Sequence, residues 1–281
     1  MRVLLAVLTS LALACAGVTD AKEATPGAPQ TVTIRDGSLS LKASLWKPAG
    51  RGPFPAVLFN HGSYGSTDVL SPEEARTVGE LFARHGYVLL FLYRSGVGLS
   101  KDQGPSEGEL MDRAFAEHGA EGRNRTQVLL LESEELDQAL AALAYLRKMP
   151  DVDPKRIAVA GHSFGGSLTL LLAEREPTLR AAVNFGGSAR SWERSPELQA
   201  RLIKAVERVR VPVFFIHAAN DYSTKPGEVL GAEMERFGHP QRVKIYPAVG
   251  STAAEGHDLV YRAPATWEGD VFAFLDEYLR H

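Results

Sequence analysis

From Thr31 the chain alternates polar and apolar residues, Thr31-Val32-Thr33-Ile34-Arg35, turns at Asp36-Gly37, and alternates again from Leu39 to Trp46. A period of two around an Asp-Gly turn predicts an antiparallel hairpin with one covered face. The pattern then changes. Phe54 to Phe59, Tyr87 to Tyr93, Ile157 to Ala160, Ala181 to Phe185 and Val213 to His217 are continuous apolar runs. Strands covered on both faces have this form, and Gln241 to Tyr246 reads as a last strand. Helical spacing separates these runs at Pro72 to Arg84, Gln127 to Lys148, Leu168 to Arg175, Pro196 to Val209, Gly227 to Phe237 and Ala265 to Leu279. The alternation predicts an α/β protein, a mostly parallel eight-stranded sheet with helices on both faces and an N-terminal hairpin. No internal repeat or heptad run competes with it.

The pattern also marks what lies outside this domain. Arg2 gives a short positive start, and Val3 to Ala14 is an apolar run of roughly 12 residues, too short for a bilayer core that needs about 20. Residues 1–16 therefore read as a signal peptide cleaved near Cys15. Leu13-Ala14-Cys15-Ala16 resembles a bacterial lipobox, which implies acylation of Cys15; Ala14-Cys15-Ala16 equally suits ordinary A-x-A cleavage. Export to the periplasm, as a lipoprotein held at the membrane through Cys15 or as a soluble secreted protein, is the expectation. Residues 17–30 are Ala, Pro, Gly, Thr and charge, which read as a flexible linker. The folded domain is expected over 31–281.

Composition narrows the function classes. With 44% hydrophobic residues the chain is not disordered, and 31 basic against 34 acidic residues leave no basic footprint for nucleic acid. A single cysteine excludes an internal disulfide and any zinc cluster built from thiolates.

The chemistry begins at Ile157-Ala158-Val159-Ala160-Gly161-His162-Ser163-Phe164-Gly165-Gly166-Ser167, an apolar strand, then G-x-S-x-G, then a helix. A sharp turn at Ser163 strains the backbone and crowds neighbouring chain, so Gly161 and Gly165 must lack side chains. The helix start then offers the Phe164 N–H to a developing oxyanion. A bare G-x-S-x-G arises by chance in a Gly-rich chain; the strand-turn-helix setting favours a nucleophile over a structural turn.

With this elbow the chain resembles the α/β-hydrolase superfamily, and within it the dienelactone-hydrolase-like and prolyl-oligopeptidase-like serine hydrolases, from about Thr31 to Leu279. Two further blocks carry the likeness: Phe59-Asn60-His61-Gly62-Ser63 after the third strand, and Tyr93-Arg94-Ser95-Gly96-Val97-Gly98-Leu99-Ser100 after the fourth. The resemblance implies an α/β-hydrolase fold and an oxyanion loop at His61-Gly62. Tyr93 stands where the family commonly has Asp, and that second loop reads as structural.

A serine hydroxyl is a poor nucleophile without a base, and the base needs an orienting carboxylate. The expected order is Ser, acid, His. Asp221 follows the apolar strand ending at His217, on the edge where ligands collect in open sheets; the plainer reading has it capping the helix near Lys225, and Asn220 is the neighbouring polar alternative. His257 lies in the loop beyond the last strand and is the expected base. Among the other histidines, His85 and His118 precede Gly in turns, His239 precedes Pro and His281 ends the chain. His162 belongs to the elbow, His217 to a strand end, and His61 reads as a brace. The Ser63 and Phe164 backbone N–H groups are the expected oxyanion donors, with Tyr64 as the alternative to Ser63. No metal or organic cofactor is expected.

Other features take blander readings. Glu132-Ser133-Glu134-Glu135 looks like a solvated helix face, and Asn124-Arg125-Thr126 is a formal glycosylation triplet only. Residues 96–125 are a candidate lid or a surface insertion, and 188–208 a small cap segment in which Trp192 packs or lines a pocket; Met111 and Phe115 share that ambiguity. The expected function is an exported serine hydrolase acting on a small-molecule carboxylic ester. Alternatives are a peptidase of prolyl-oligopeptidase type, against which stands the lack of an obvious acidic pair for a substrate amine, a thioesterase, and a catalytically idle surface-binding protein.

Overall fold

The structure, a computed structural model, describes residues 27–65 and 69–280; the expected signal peptide, Cys15 and most of the expected linker lie outside the described residues. Eight strands form one sheet: β1 Gln30–Asp36, β2 Leu39–Trp46, β3 Phe54–Asn60, β4 Val88–Tyr93, β5 Val152–His162, β6 Ala182–Phe185, β7 Val213–Ala218 and β8 Gln241–Tyr246. Their order is β1-β2-β4-β3-β5-β6-β7-β8. The hairpin β1–β2 joins antiparallel to β4, and every pair from β4 through β8 is parallel.

The continuous apolar runs have a simple cause. Successive strand side chains point to opposite faces, and both faces are covered. Leu58, Leu90 and Val159 enter one buried cluster, while Val57, Phe59, Leu89 and Phe91 enter the other. Helices α1 (Pro72–Arg84), α8 (Leu259–Arg262) and α9 (Pro264–Leu279) contribute to the second cluster; α2 (Glu107–Glu132), α3 (Glu134–Arg147), α4 (Phe164–Arg175), α5 (Pro196–Val206) and α6 (Lys225–Arg236) contribute to the first. A short α7, Ala253–His257, precedes α8. Helix α1 starts where Ser71 and Glu74 form a capping box around Pro72. It lies close on the sheet because residue 79 is glycine: a Cβ there would come within 2.2 Å of the Trp46 ring.

The long excursion is ordered. Gly98–Ser100 forms a 3-10 turn, and α2 then runs from a Ser106/Glu109 capping box through a kink at Gly119, where φ is 65°. Segment 188–208 carries a 3-10 turn at Trp192–Arg194 and then α5, which packs on α2, α4 and α6. Trp192 and Met111 are buried, whereas Phe115 is exposed.

Two expectations are corrected here. The helix from Gln127 to Lys148 is two helices, broken at Ser133 (φ −126°, ψ −106°), the first of which starts at Glu107. Glu135 is not on a solvated face: it is 2% exposed and accepts from Arg94 Nε at 2.5 Å. Arg94 is itself fully buried, pairs also with Glu107 at 2.9 Å, and donates to the His61 and Gly62 carbonyls at 2.9 and 3.0 Å. A guanidinium out of water needs carboxylate partners, and the break at Ser133 redirects the chain so that Glu135 supplies one.

This buried group yields a stability prediction. Arg94→Met should cost about 3–5 kcal/mol in urea unfolding, because it strands two carboxyls. Burial, opposed by Arg94, raises the Glu135 carboxyl to about 8. A folded-state pKa above the unfolded one adds stability that is complete below the ordinary glutamate range and is lost as pH rises through the raised value. The stability gap between wild type and Glu135→Gln should therefore shrink with rising pH in that window, by up to about 1.4 kcal/mol per unit. A constant or widening gap would contradict it.

Candidate active site

Ser163 sits between β5 and α4 with φ 56° and ψ −117°, in the left-handed region that L-residues avoid. The turn is enforced by packing. A Cβ on Gly161 would lie 2.2 Å from the Gly165 carbonyl oxygen, and one on Gly165 would lie 2.1 Å from that of Asn60. No side chain fits either place, so the start of α4 can lie this close to β5 and to the end of β3 only with glycine at both positions.

The structure brings the three expected side chains together. Ser163 Oγ lies 2.8 Å from His257 Nε2, and His257 Nδ1 lies 2.7 Å from Asp221 Oδ1. Asp221 ends the loop after β7, and His257 closes α7, one turn of helix where a loop was expected. Asn220 does not compete for the acid position: its amide donates to the Val249 and Thr252 carbonyls and accepts from the Val249 N–H, tying the two loops together. Gly186, at φ 60°, leaves room for the pair, since a Cβ there would come within 3.1 Å of Asp221 Oδ2 and 3.2 Å of His257 Nδ1.

Asp221 has a further partner at the end of its own strand. His217, buried, lies with Nδ1 2.8 Å from Asp221 Oδ2, and the Tyr222 N–H donates to Oδ1 at 2.7 Å. Burial pushes the Asp221 carboxyl up, but the hydrogen bonds from His217 and His257 together outweigh it and hold the group at about 2. An ionised carboxylate only accepts, so His257 carries its proton on Nδ1 and turns the Nε2 lone pair to the serine hydroxyl.

Two more histidines shape the surroundings. His162 donates from Nε2 to the His257 carbonyl at 3.0 Å; burial and the neighbouring His257 hold its pKa down at about 3, so it stays neutral. His61 accepts the Arg94 N–H on Nε2 at 3.1 Å and therefore donates from Nδ1 to the Gly62 carbonyl at 2.6 Å. Its ring thus spans the two family-like loops, and Arg94 grips the same loop from below.

Two clefts meet at Ser163. A small one, about 40 Å³, is bounded by Ser63, Ser163 and Phe164 and by Met111 and Gln127 of α2. A larger one, about 390 Å³, is bounded by Ser63, Tyr64, Ser163, His257 and Asp258. Phe164 opens α4, so its N–H has no acceptor one turn back in the helix. The Tyr64 hydroxyl donates to Glu74. A wider hollow of about 960 Å³, between α2, α3 and the first hairpin, contains none of these groups. Convergent polar side chains, not volume, mark the site.

Comparison with known proteins agrees with this architecture. Residues 41–279 match the model of the dienelactone hydrolase family. The chain is 28% identical over 249 residues to the quorum-quenching protein AidA of Acinetobacter baumannii, covering 87% of this chain and 64% of that protein. It is 31% identical over 201 residues to the esterase EstD of Thermotoga maritima, covering 70% of this chain but 43% of the esterase. The chain thus spans less than two thirds of either relative. Among solved structures, a dienelactone hydrolase from Anabaena variabilis superposes with a TM-score of 0.59 at 22% identity, covering 92% of this chain and 99% of that one.

Proposed function

We propose, from the premise that this chain belongs to the dienelactone hydrolase family, that it is a serine hydrolase of carboxylic esters working through an acyl-enzyme. The observation that carries the reading is the unbroken chain Ser163–His257–Asp221, with contacts of 2.8 and 2.7 Å. In the first half-reaction Ser163 Oγ attacks the ester carbonyl while His257 Nε2 takes its proton. Asp221 keeps the imidazole in the productive tautomer and stabilises it once charged. The carbonyl oxygen, now an anion, is placed against the N–H groups of Phe164 and Ser63, each worth about 2.7–4 kcal/mol in such a site. His257 then returns the proton to the leaving alcohol oxygen. In the second half-reaction it activates water, which frees Ser163 and releases the acid.

A panel of nitrophenyl esters of increasing acyl length, run beside aminoacyl anilides, tests the reading. Esters should be cleaved with a burst of nitrophenol equal to the enzyme concentration whenever deacylation limits the rate. Preferential cleavage of the anilides would overturn ester hydrolysis in favour of peptide hydrolysis.

A further inference from the structure

The larger cleft at Ser163 carries two carboxyls from distant parts of the chain. Glu74 lies in the first turn of α1, and Asp258 follows His257 at the end of α7. Glu74 accepts on Oε2 from the Tyr64 hydroxyl at 3.3 Å and from the Ser71 N–H at 2.8 Å, both neutral donors. Asp258 comes within 4.0 Å of His162 Nε2, but that ring is neutral and gives its proton to the His257 carbonyl. Burial raises both carboxyls, and the charge of Asp258 adds to the rise at Glu74. Behind burial, the same two charges help to raise the phenols of Tyr64 and Tyr261, so their fields overlap around Tyr64 in the cleft wall.

Three groups pull Asp258 the other way: His257, Arg262 and Arg190. Each is engaged elsewhere. His257 serves Ser163 and Asp221, and Arg262 bonds Glu255 at 2.9 Å. Arg190, exposed, borders both clefts, with its guanidinium 5.1 Å above the Tyr222 ring.

A third acceptor stands apart from the two charges. His162 is 4% exposed and borders the same cleft. With its proton on Nε2, the ring keeps a lone pair on Nδ1, and that atom has no hydrogen-bond partner among the described residues. It is aimed at Gly62, also in the cleft wall, where a Cβ would lie 3.3 Å away; glycine there leaves no side chain in front of the lone pair. A buried acceptor without a donor, beside two partly desolvated carboxyls, calls for a ligand that brings N–H groups and positive charge together.

Geometry also says which part of the substrate enters. The leaving oxygen must reach His257 to take its proton, and His257 borders the larger cleft and not the smaller. The departing alcohol therefore lies on the side of Glu74 and Asp258.

We propose that the larger cleft is a leaving-group subsite for a protonated amine, so that the preferred substrates are esters of short amino alcohols, held by Glu74, Asp258 and His162 Nδ1. The proposal rests on the acyl-transfer reading above and adds the substrate class to it. Ester and water give the acid and the amino alcohol, with every bond change as already described.

The test compares dimethylaminoethyl acetate, protonated near neutral pH, with isopentyl acetate, in which C–H replaces the charged N–H at the same shape, following acid release at constant pH. The amino alcohol is the better leaving group in any enzyme, so the decisive quantity is how the kcat/KM ratio of the two esters changes on substitution. Taking the ratio within one enzyme form also cancels any general loss of activity. In Glu74→Gln/Asp258→Asn, which removes both charges at constant shape, the ratio should fall by roughly ten- to hundredfold, the range for hydrogen bonds to a charged group. A fall of less than about threefold overturns the proposal. Acetylcholine carries the charge without an N–H and should be a poorer substrate for wild type than the protonated amine; equal or better use overturns the hydrogen-bonded ammonium. A second readout needs no turnover: butylammonium should slow fluorophosphonate labelling of Ser163 more in wild type than in the double variant at equal ionic strength. Labelling with equal protection in both forms overturns the subsite while leaving acyl transfer standing. Absence of both labelling and hydrolysis overturns the acyl-transfer reading itself.

Discussion

Ser163→Ala is expected to lower kcat for ester hydrolysis by about 10⁶-fold, the scale seen when the nucleophile of a comparable serine site is removed. The loss follows from geometry. Once Oγ is gone, nothing within reach of the carbonyl can form the acyl-enzyme, although the His257–Asp221 pair and the N–H groups of the elbow stay in place. Alanine suffers the same φ of 56° as serine and adds no volume, so the fold should survive, with an unchanged circular dichroism spectrum and a melting temperature close to wild type. Labelling by a fluorophosphonate should vanish with activity. A variant that still labels, or that keeps more than about a thousandth of wild-type kcat, would place the nucleophile elsewhere.

Asp221→Asn should be the next most damaging change, with a fall of about 10⁴-fold in kcat. The carboxylate accepts from His257 and the Tyr222 N–H on Oδ1 and from His217 on Oδ2. An amide has one accepting oxygen and one donating nitrogen. If the nitrogen faces His257, the imidazole must move its proton to Nε2, and the lone pair that should receive the serine proton is lost. If it faces His217, that ring must take the proton on Nε2, a buried atom with no hydrogen-bond partner among the described residues. Either way the negative charge that stabilises the imidazolium is gone. Because the Asp221 carboxyl is held at about 2, it stays charged through the whole range in which the protein would be assayed. The acid limb of the wild-type pH–rate profile should therefore not trace to Asp221. Parallel kcat measurements on wild type and Asp221→Asn between pH 5 and pH 9 check this, and a loss smaller than about tenfold would remove Asp221 from the relay.

Much of this framework was legible along the chain. The switch from a two-residue alternation to continuous apolar runs foretold the antiparallel hairpin and the parallel sheet, because strand side chains alternate faces and only a sheet covered twice makes both faces apolar. The register of G-x-S-x-G between a strand and a helix marked Ser163, and chain order singled out Asp221 and His257. Those inferences rest on interactions between close neighbours in sequence, or on an order of elements that a sheet of this kind imposes.

Other features depended on where distant segments meet. Glu135 reads as an ordinary member of an acidic surface run until the break at Ser133 and the burial of Arg94, 41 residues away, turn it inward. His217 looks like a strand terminus; its bond to Asp221 arises because the loop after β7 bends the acid back by one helical turn's separation. Glu74 comes from α1 and Asp258 from the end of α7, and no spacing pattern relates them. By itself, then, the sequence determined the strand and helix succession, the strained elbow and the chain order of Ser163, Asp221 and His257, since periodicity and turn chemistry are local. The tertiary structure alone decided which charges are buried together, how Asp221 is held, and which side chains border the cleft beside Ser163, since each of these depends on desolvation and convergence of side chains remote along the chain.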